Sequence, residues 1–303
     1  MTANSPKQTR PRQKIRKVVF PVAGLGTRIL PATKSIPKEM LPVVDRPLIQ
    51  YVVDEAAEAG IEHFIFVTGR GKGAIEDYFD QAYELNATLN AKSKTSELDI
   101  LAANQPAPGQ MSFTRQQEPL GLGHAVWCAR DIVGDEPFAV ILPDELVMGD
   151  RSCLAQMVEA YEQTGGNIVA VEEVPRQDTD RYGIVDPGET TSTGLIEVKG
   201  LVEKPKPEEA PSTLSLTGRY ILVPEIFTPL AKEQKGAGGE IQLTDAMAEL
   251  IGKHPFHASR FNGTRYDCGN RVGLIAANLA YALARPELSD DVRAAATALL
   301  TQS

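Results

Sequence analysis

The stretch Ala23-Gly24-Leu25-Gly26-Thr27-Arg28, directly behind a short apolar run, has the composition of a phosphate holder. Glycine lets backbone approach a phosphate closely, and successive loop N–H groups form a cradle for an anion. Arg28, Lys34 and Lys38 follow with no acid before Glu39, while Pro31, Pro37 and Pro42 stiffen the segment and keep it out of a regular helix. Taken alone, Gly-x-Gly serves a tight turn as well as a phosphate site. The cations and prolines favour a triphosphate, whose charge needs fixed donors. A dinucleotide fingerprint would need a third glycine where Ile29 stands, with a helix starting there, and no Gly-Lys-Ser/Thr of a P-loop occurs in the chain. The 31 basic against 40 acidic side chains give a net charge of −9, which argues against broad binding to nucleic acid or an anionic membrane. A polyanion site must therefore be local.

The elements that position this loop follow from hydrophobic periodicity. Residues 17–22 read as a buried strand ending in the glycine loop. Pro47 opens a helix through Ala59, with Ile49, Val52, Val53 and Ala56 on one face and Gly60 just past the end. A strand at 64–68 and a helix at 72–83 continue the alternation, which favours a mainly parallel sheet covered on both faces. Residues 86–109 are polar and read as a surface excursion. Strands are expected at 111–115, 138–142 and 168–171, and helices at 123–130 and 152–163. Residues 182–223 hold several short strands and no helix, a mixed-sheet elaboration. Helices return at 242–251, 271–284 and 290–300. Residues 1–16 form a basic, flexible tail, and 17–303 a single domain whose helices from 271 onward offer a subunit contact. No apolar run is long enough to span a bilayer, and no apolar h-region follows the basic head. Three widely spaced cysteines, Cys128, Cys153 and Cys268, suit the core of a protein from a reducing compartment, hence the cytoplasm.

Residues 20–42, FPVAGLGTRILPATKSIPKEMLP, resemble the signature of the sugar-phosphate nucleotidylyltransferases. Further stretches match in order: Gln116 with Gly121-Leu122-Gly123-His124-Ala125-Val126, Leu142-Pro143-Asp144, Tyr182-Gly183-Ile184-Val185, Glu203-Lys204-Pro205, residues 239–245, and Tyr266-Asp267-Cys268-Gly269. The resemblance implies an α/β, Rossmann-like nucleotidyltransferase fold with a mixed, mainly parallel central sheet flanked by helices and a small β-rich elaboration. It implies transfer of a uridylyl group from UTP to α-D-glucose 1-phosphate, giving UDP-glucose and pyrophosphate. The attack would be in line, assisted by Mg²⁺ and without a covalent intermediate. The Gly121-Leu122-Gly123-His124 run favours this branch over thymidylyl transfer.

Carried over residue by residue, the resemblance gives Ala23, Gly24 and Gly26 backbone contacts to the nucleotide. Arg28 and Lys38 become the catalytic cations on the triphosphate. Gln116 would bond the uracil edge under the Gly121 backbone, Asp144 and Asp267 would hold Mg²⁺, and Gly183, Glu203 and Lys204 would serve the sugar phosphate. Nucleic acid and membrane partners are not implied; a homo-oligomer, dimer or tetramer, is. Without that context, Asp144 and Asp267 read equally as turn or cap residues, and Glu203-Lys204 as a surface ion pair. Many relatives carry a second aspartate after the metal one, where this chain has Glu145. His124 reads as a ligand neighbour or a cap residue, Trp127 and Cys128 as core, and His254 and His257 as surface loop. A nucleotide-sensing subunit would be free to lose the cations and metal acids, all of which are present.

Overall fold

The computed structural model describes residues 13–301. β1 (Lys17–Pro21) leads into the glycine loop, which passes through short 3-10 turns to a two-strand hairpin, β2 (Pro42–Val43) and β3 (Arg46–Pro47), and then α1 (Leu48–Glu58). The chain continues through β4 (His63–Thr68), α2 (Gly73–Phe79), α3 (Tyr83–Ala91), α4 (Thr95–Ala103), β5 (Met111–Arg115), α5 (Leu122–Trp127), α6 (Arg130–Val133), β6 (Phe138–Ile141), β7 (Glu145–Met148) and α7 (Cys153–Thr164). Its second half comprises β8 (Asn167–Glu173), β9 (Gly183–Thr190), β10 (Ile196–Glu203), β11 (Leu214–Leu222), α8 (Phe227–Leu230), α9 (Leu243–Ala248), β12 (Phe256–Arg260), β13 (Thr264–Asp267), α10 (Arg271–Leu283) and α11 (Pro286–Thr301).

Nine strands form one sheet in the order β5-β4-β1-β6-β11-β8-β12-β10-β9. The first four are parallel, as expected from the strand–helix alternation. β11 then runs antiparallel between β6 and β8, β12 is parallel to β8, and β10 and β9 are antiparallel again. β11 also meets β9 antiparallel, so four joins are parallel and five antiparallel, which corrects the expected mainly parallel sheet. The strands expected as an elaboration lie inside this sheet, and a separate ladder pairs β7 with β13.

Burial on both faces explains the continuous apolar runs. Side chains alternate along a strand, so Val18 and Phe20 enter one core while Val19 enters the other. β4 splits in the same way, Phe64 and Phe66 against Ile65 and Val67. The first core is closed by α1 and α7, for example through Leu48, Ile49 and Leu154; the second by α5 and α9, through Val126 and Met247.

Several local expectations change. Residues 13–16 are not tail: Ile15 is buried, and Lys14 and Arg16 both pair with Glu62. The rest of the basic tail, 1–12, lies outside the described residues. The helix expected at 72–83 stops at Phe79, where Asp80 turns extended. The polar excursion contains two helices, α3 and α4, neither with a buried residue. Trp127 and Cys128 are half-buried at the edge of the second core. His257 stands on β12 opposite Glu197 instead of in a loop. Among the described residues no helix is long and apolar enough to cross a membrane.

Candidate functional site

The loop behind β1 folds back on itself. Thr33 Oγ1 donates to Gly26 O at 2.7 Å, and Lys38 returns beside the glycines. Lys38 Nζ donates to Asp144 Oδ2 at 2.7 Å. The next residue, Glu39, is fully buried and accepts from the buried Lys72 Nζ at 2.7 Å, which anchors the far end of the loop to the start of α2. Lys34, the third cation of the loop, is exposed and lines neither cleft described below.

Asp144 follows β6 and Asp267 ends β13, whose pairing with β7 sets Asp267 opposite Glu145. Cys268 N donates to Asp144 O at 2.7 Å and joins the two segments. Gly269 shows how tightly the functional groups gather. A Cβ there would lie 2.5 Å from Asp144 Oδ2, 2.6 Å from Arg28 Nη2 and 2.9 Å from Asp267 Oδ1. Arg28 reaches both carboxylates, at 3.5 Å from Asp144 and 3.8 Å from Asp267.

The charges tune one another. Burial alone would raise the Asp144 pKa, but Lys38 and then Arg28 outweigh it and hold the carboxyl below its usual range. Burial likewise works against charged Lys38, yet Asp144 and Glu39 keep its ammonium above the ordinary lysine value. Glu145 goes the other way. Burial, reinforced by Asp144 and Asp267, pushes it up to about 7 even though Arg265 Nη1 donates to it at 2.6 Å. Among the described residues no group of three or more His, Cys, Asp or Glu side chains is placed to cage a metal. Two converging carboxylates with substrate oxygens completing the sphere are a donor set that suits Mg²⁺.

Two adjoining clefts meet here. One, of about 520 Å³, is lined by Ala23, Gly24, Gly26, Lys38, Gln116, Gly121 and Asp144. The other, of about 420 Å³, is lined by Tyr182, Gly183, Glu203, Lys204, Glu145 and Asp267. Arg28, Leu122, Leu142 and Glu240 line both. All twelve site residues expected from the sequence therefore fall on these two clefts.

Backbone placement explains several of them. Gln116 directly follows β5 and its N–H donates to Thr68 O, at the end of β4, at 2.8 Å, which fixes where its buried side chain starts. Gly121 has φ of 109°, and a Cβ would lie 2.8 Å from both Glu240 Cβ and Ile241 O, so only glycine allows that approach. In the second cleft, Glu203 Oε2 accepts from Thr244 Oγ1 at 2.7 Å and Oε1 lies 3.2 Å from Lys204 Nζ. Lys204 adopts φ of 47°, uncommon for lysine, with its N–H donating to Tyr182 O at 3.0 Å.

Sequence reasoning left Glu240 and Arg265 without roles. Glu240 lies in the matched run 239–245, which was the available signal. Arg265 gave none; it bridges Glu145 and Glu172 across separate elements.

A profile of the nucleotidyl transferase family matches residues 17–283. The chain is 56% identical over 258 residues to a UTP–glucose-1-phosphate uridylyltransferase of Komagataeibacter xylinus, covering 85% of this chain and 90% of that one. It is 50% identical over 282 residues to one from Bacillus subtilis, covering 92% and 95%. Among solved structures, a UTP-bound UGPase from Acinetobacter baumannii superposes with a TM-score of 0.86 at 45% identity, covering 93% of this chain and 99% of that one. A UDP-glucose pyrophosphorylase complexed with UDP-glucose gives 0.79 at 45% identity, covering 89% and 100%.

Proposed function

The chain belongs to the nucleotidyl transferase family, among its UTP–glucose-1-phosphate uridylyltransferases, and from that premise we propose that it condenses UTP with α-D-glucose 1-phosphate, releasing pyrophosphate. The observation that carries the reading is the gathering of Arg28, Asp144 and Asp267 around Gly269, where the two clefts adjoin. UTP would occupy the glycine-loop cleft and the sugar phosphate the cleft of Gly183, Glu203 and Lys204. The catalytic unit would be residues 17–303 with the packed segment 13–16, and the exposed apolar face of α10 (Val272, Ile275 and Leu279) would offer the subunit contact.

An oxygen of glucose 1-phosphate attacks the α-phosphorus of UTP in line; the new P–O bond forms as the bond to the bridging oxygen of pyrophosphate breaks. A phosphate monoester is mostly dianionic at neutral pH, its second ionisation lying near ~6, so the nucleophile needs no general base. The obstacles are anion–anion repulsion and orientation. Lys204 would offset charge on the sugar phosphate, and Arg28 and Lys38 charge on the departing pyrophosphate. Glu203, held by Thr244, accepts from sugar hydroxyls. Oriented encounter of this kind supplies up to ~7–11 kcal/mol of a barrier. Asp144 and Asp267 would hold Mg²⁺, which when bound supplies phosphate charge neutralisation.

The test is pyrophosphate release across four nucleoside triphosphates and a panel of sugar 1-phosphates, with and without EDTA. Release confined to UTP with glucose 1-phosphate, and abolished by EDTA, is expected. Equal use of every triphosphate, or no release from UTP, refutes the reading.

A further inference from the structure

A glutamine amide can offer a base either an acceptor or a donor, depending on which way round it sits. For Gln116 the neighbours decide. Its Nε2 lies 3.1 Å from Gly121 O and 3.1 Å from His124 Nδ1. A backbone carbonyl is an acceptor in every state, so the NH₂ end must face Gly121; reversing the amide would set two oxygens together. The second N–H then points to His124 Nδ1, which accepts it only if the ring carries its proton on Nε2. With both hydrogens used inside the protein, Oε1 is the end left for the cleft that Gln116 lines.

His124 is itself held. It lies on α5, its ring stacks on Trp127 at 5.9 Å and 21°, and that indole also carries the Arg130 guanidinium at 3.7 Å. Gly123 N donates to Ile241 O at 2.8 Å and ties the first turn of α5 to the chain entering α9.

We propose that His124 is a positioning residue for base selection: by accepting the second N–H of the amide that Gly121 O has oriented, it holds the Gln116 carbonyl toward the base, and so favours uracil over cytosine. This rests on the uridylyl reading above. Uracil presents N3–H, which Oε1 accepts. Cytosine presents a bare N3 in that place, so two lone pairs meet unless the base shifts along the pocket.

Two substitutions separate the hydrogen bond from packing. H124N keeps an acceptor near the place of Nδ1 and loses the ring; H124F keeps a ring against Trp127 and loses the acceptor. The readout is kcat/KM for UTP and for CTP at saturating glucose 1-phosphate. For H124F the UTP-over-CTP ratio should fall roughly 3- to 10-fold, the worth of one hydrogen bond, mainly through a higher KM for UTP with kcat little changed. H124N should retain the ratio. If both variants lose it alike, or Phe keeps it and Asn does not, His124 acts by packing and the proposal is overturned. An unchanged ratio in H124F overturns it too, while leaving a UTP-specific wild type and the uridylyl reading intact. A wild type that cannot use UTP ends both.

Discussion

Replacing Arg219 and Glu55 together should destabilise the protein by clearly less than the sum of the two single replacements. Arg219 on β11 has no exposed surface, and its Nη2 and Nε donate to the two carboxylate oxygens of Glu55 on α1 at 2.6 and 3.1 Å. Glu55 Oε1 also accepts from Leu154 N at 3.1 Å, in the first turn of α7. One carboxylate thereby ties two helices to a central strand, next to Gly218, whose carbonyl holds Leu142 N at the rim of both clefts. At an effective dielectric near 20, two unit charges ~4 Å apart attract by about 4 kcal/mol, and the cost of removing both from water offsets much of that. Deleting one partner leaves the other charged, buried and alone, so Glu55→Gln and Arg219→Met should each cost about 3–5 kcal/mol. Arg219 Nη1 has no partner among the described residues, so the native pair is incompletely satisfied. The double variant should therefore cost less than the sum of the singles, with a coupling of about 1–3 kcal/mol. Urea unfolding followed by far-UV circular dichroism at pH 7 measures all four corners of the cycle. Single variants within about 1 kcal/mol of wild type, or strictly additive costs, would refute the argument that desolvation of an unpaired charge governs this site.

Arg28→Ala should lower kcat by about 10²–10³, the usual loss of one charge-stabilising donor, while KM for glucose 1-phosphate changes little; steady-state turnover near wild type would remove Arg28 from the mechanism. Gly183→Ala sets a Cβ 2.8 Å from Leu216 Cδ1 and 3.1 Å from Glu203 Oε2, so it should raise KM for the sugar phosphate selectively; a rise confined to UTP would put Glu203 in the wrong subsite. Glu39 gives a stability–pH prediction. Burial raises its pKa against the pull of Lys72 and Lys38. Its carboxyl is neutral in both states below the ordinary unfolded value of ~4.3 and costs the folded state progressively as pH rises through the raised folded value. Relative to Glu39→Gln, wild type should lose stability from mildly acidic pH upward and level off above that window. Urea midpoints measured across the range test it, and parallel profiles for the two proteins would contradict it.

The glycine loop and its place on a cleft were legible in the sequence because they are local. Glycines, prolines and cations within one short segment constrain the backbone and charge there with little help from elsewhere, and all twelve expected site residues fall on the two clefts. The first parallel strands were legible for a similar reason, since apolar runs separated by an amphipathic helix admit few arrangements. β11 was not: its nine residues are all buried, and a run buried on both faces reads the same whether the strand is parallel or antiparallel to its neighbours. α3 and α4 escaped because neither buries a residue, so they have no apolar stripe to give them a period. Ile15 and its basic flanks looked like tail until Glu62 arrived beside them. The meeting of Asp144 with Asp267, the bridging of Glu145 by Arg265 and the contact of Gln116 with His124 depend on strand pairing and helix docking. Such contacts are set by three-dimensional packing of segments distant in the chain or by the exact turn of one side chain, and residue type and spacing carry neither.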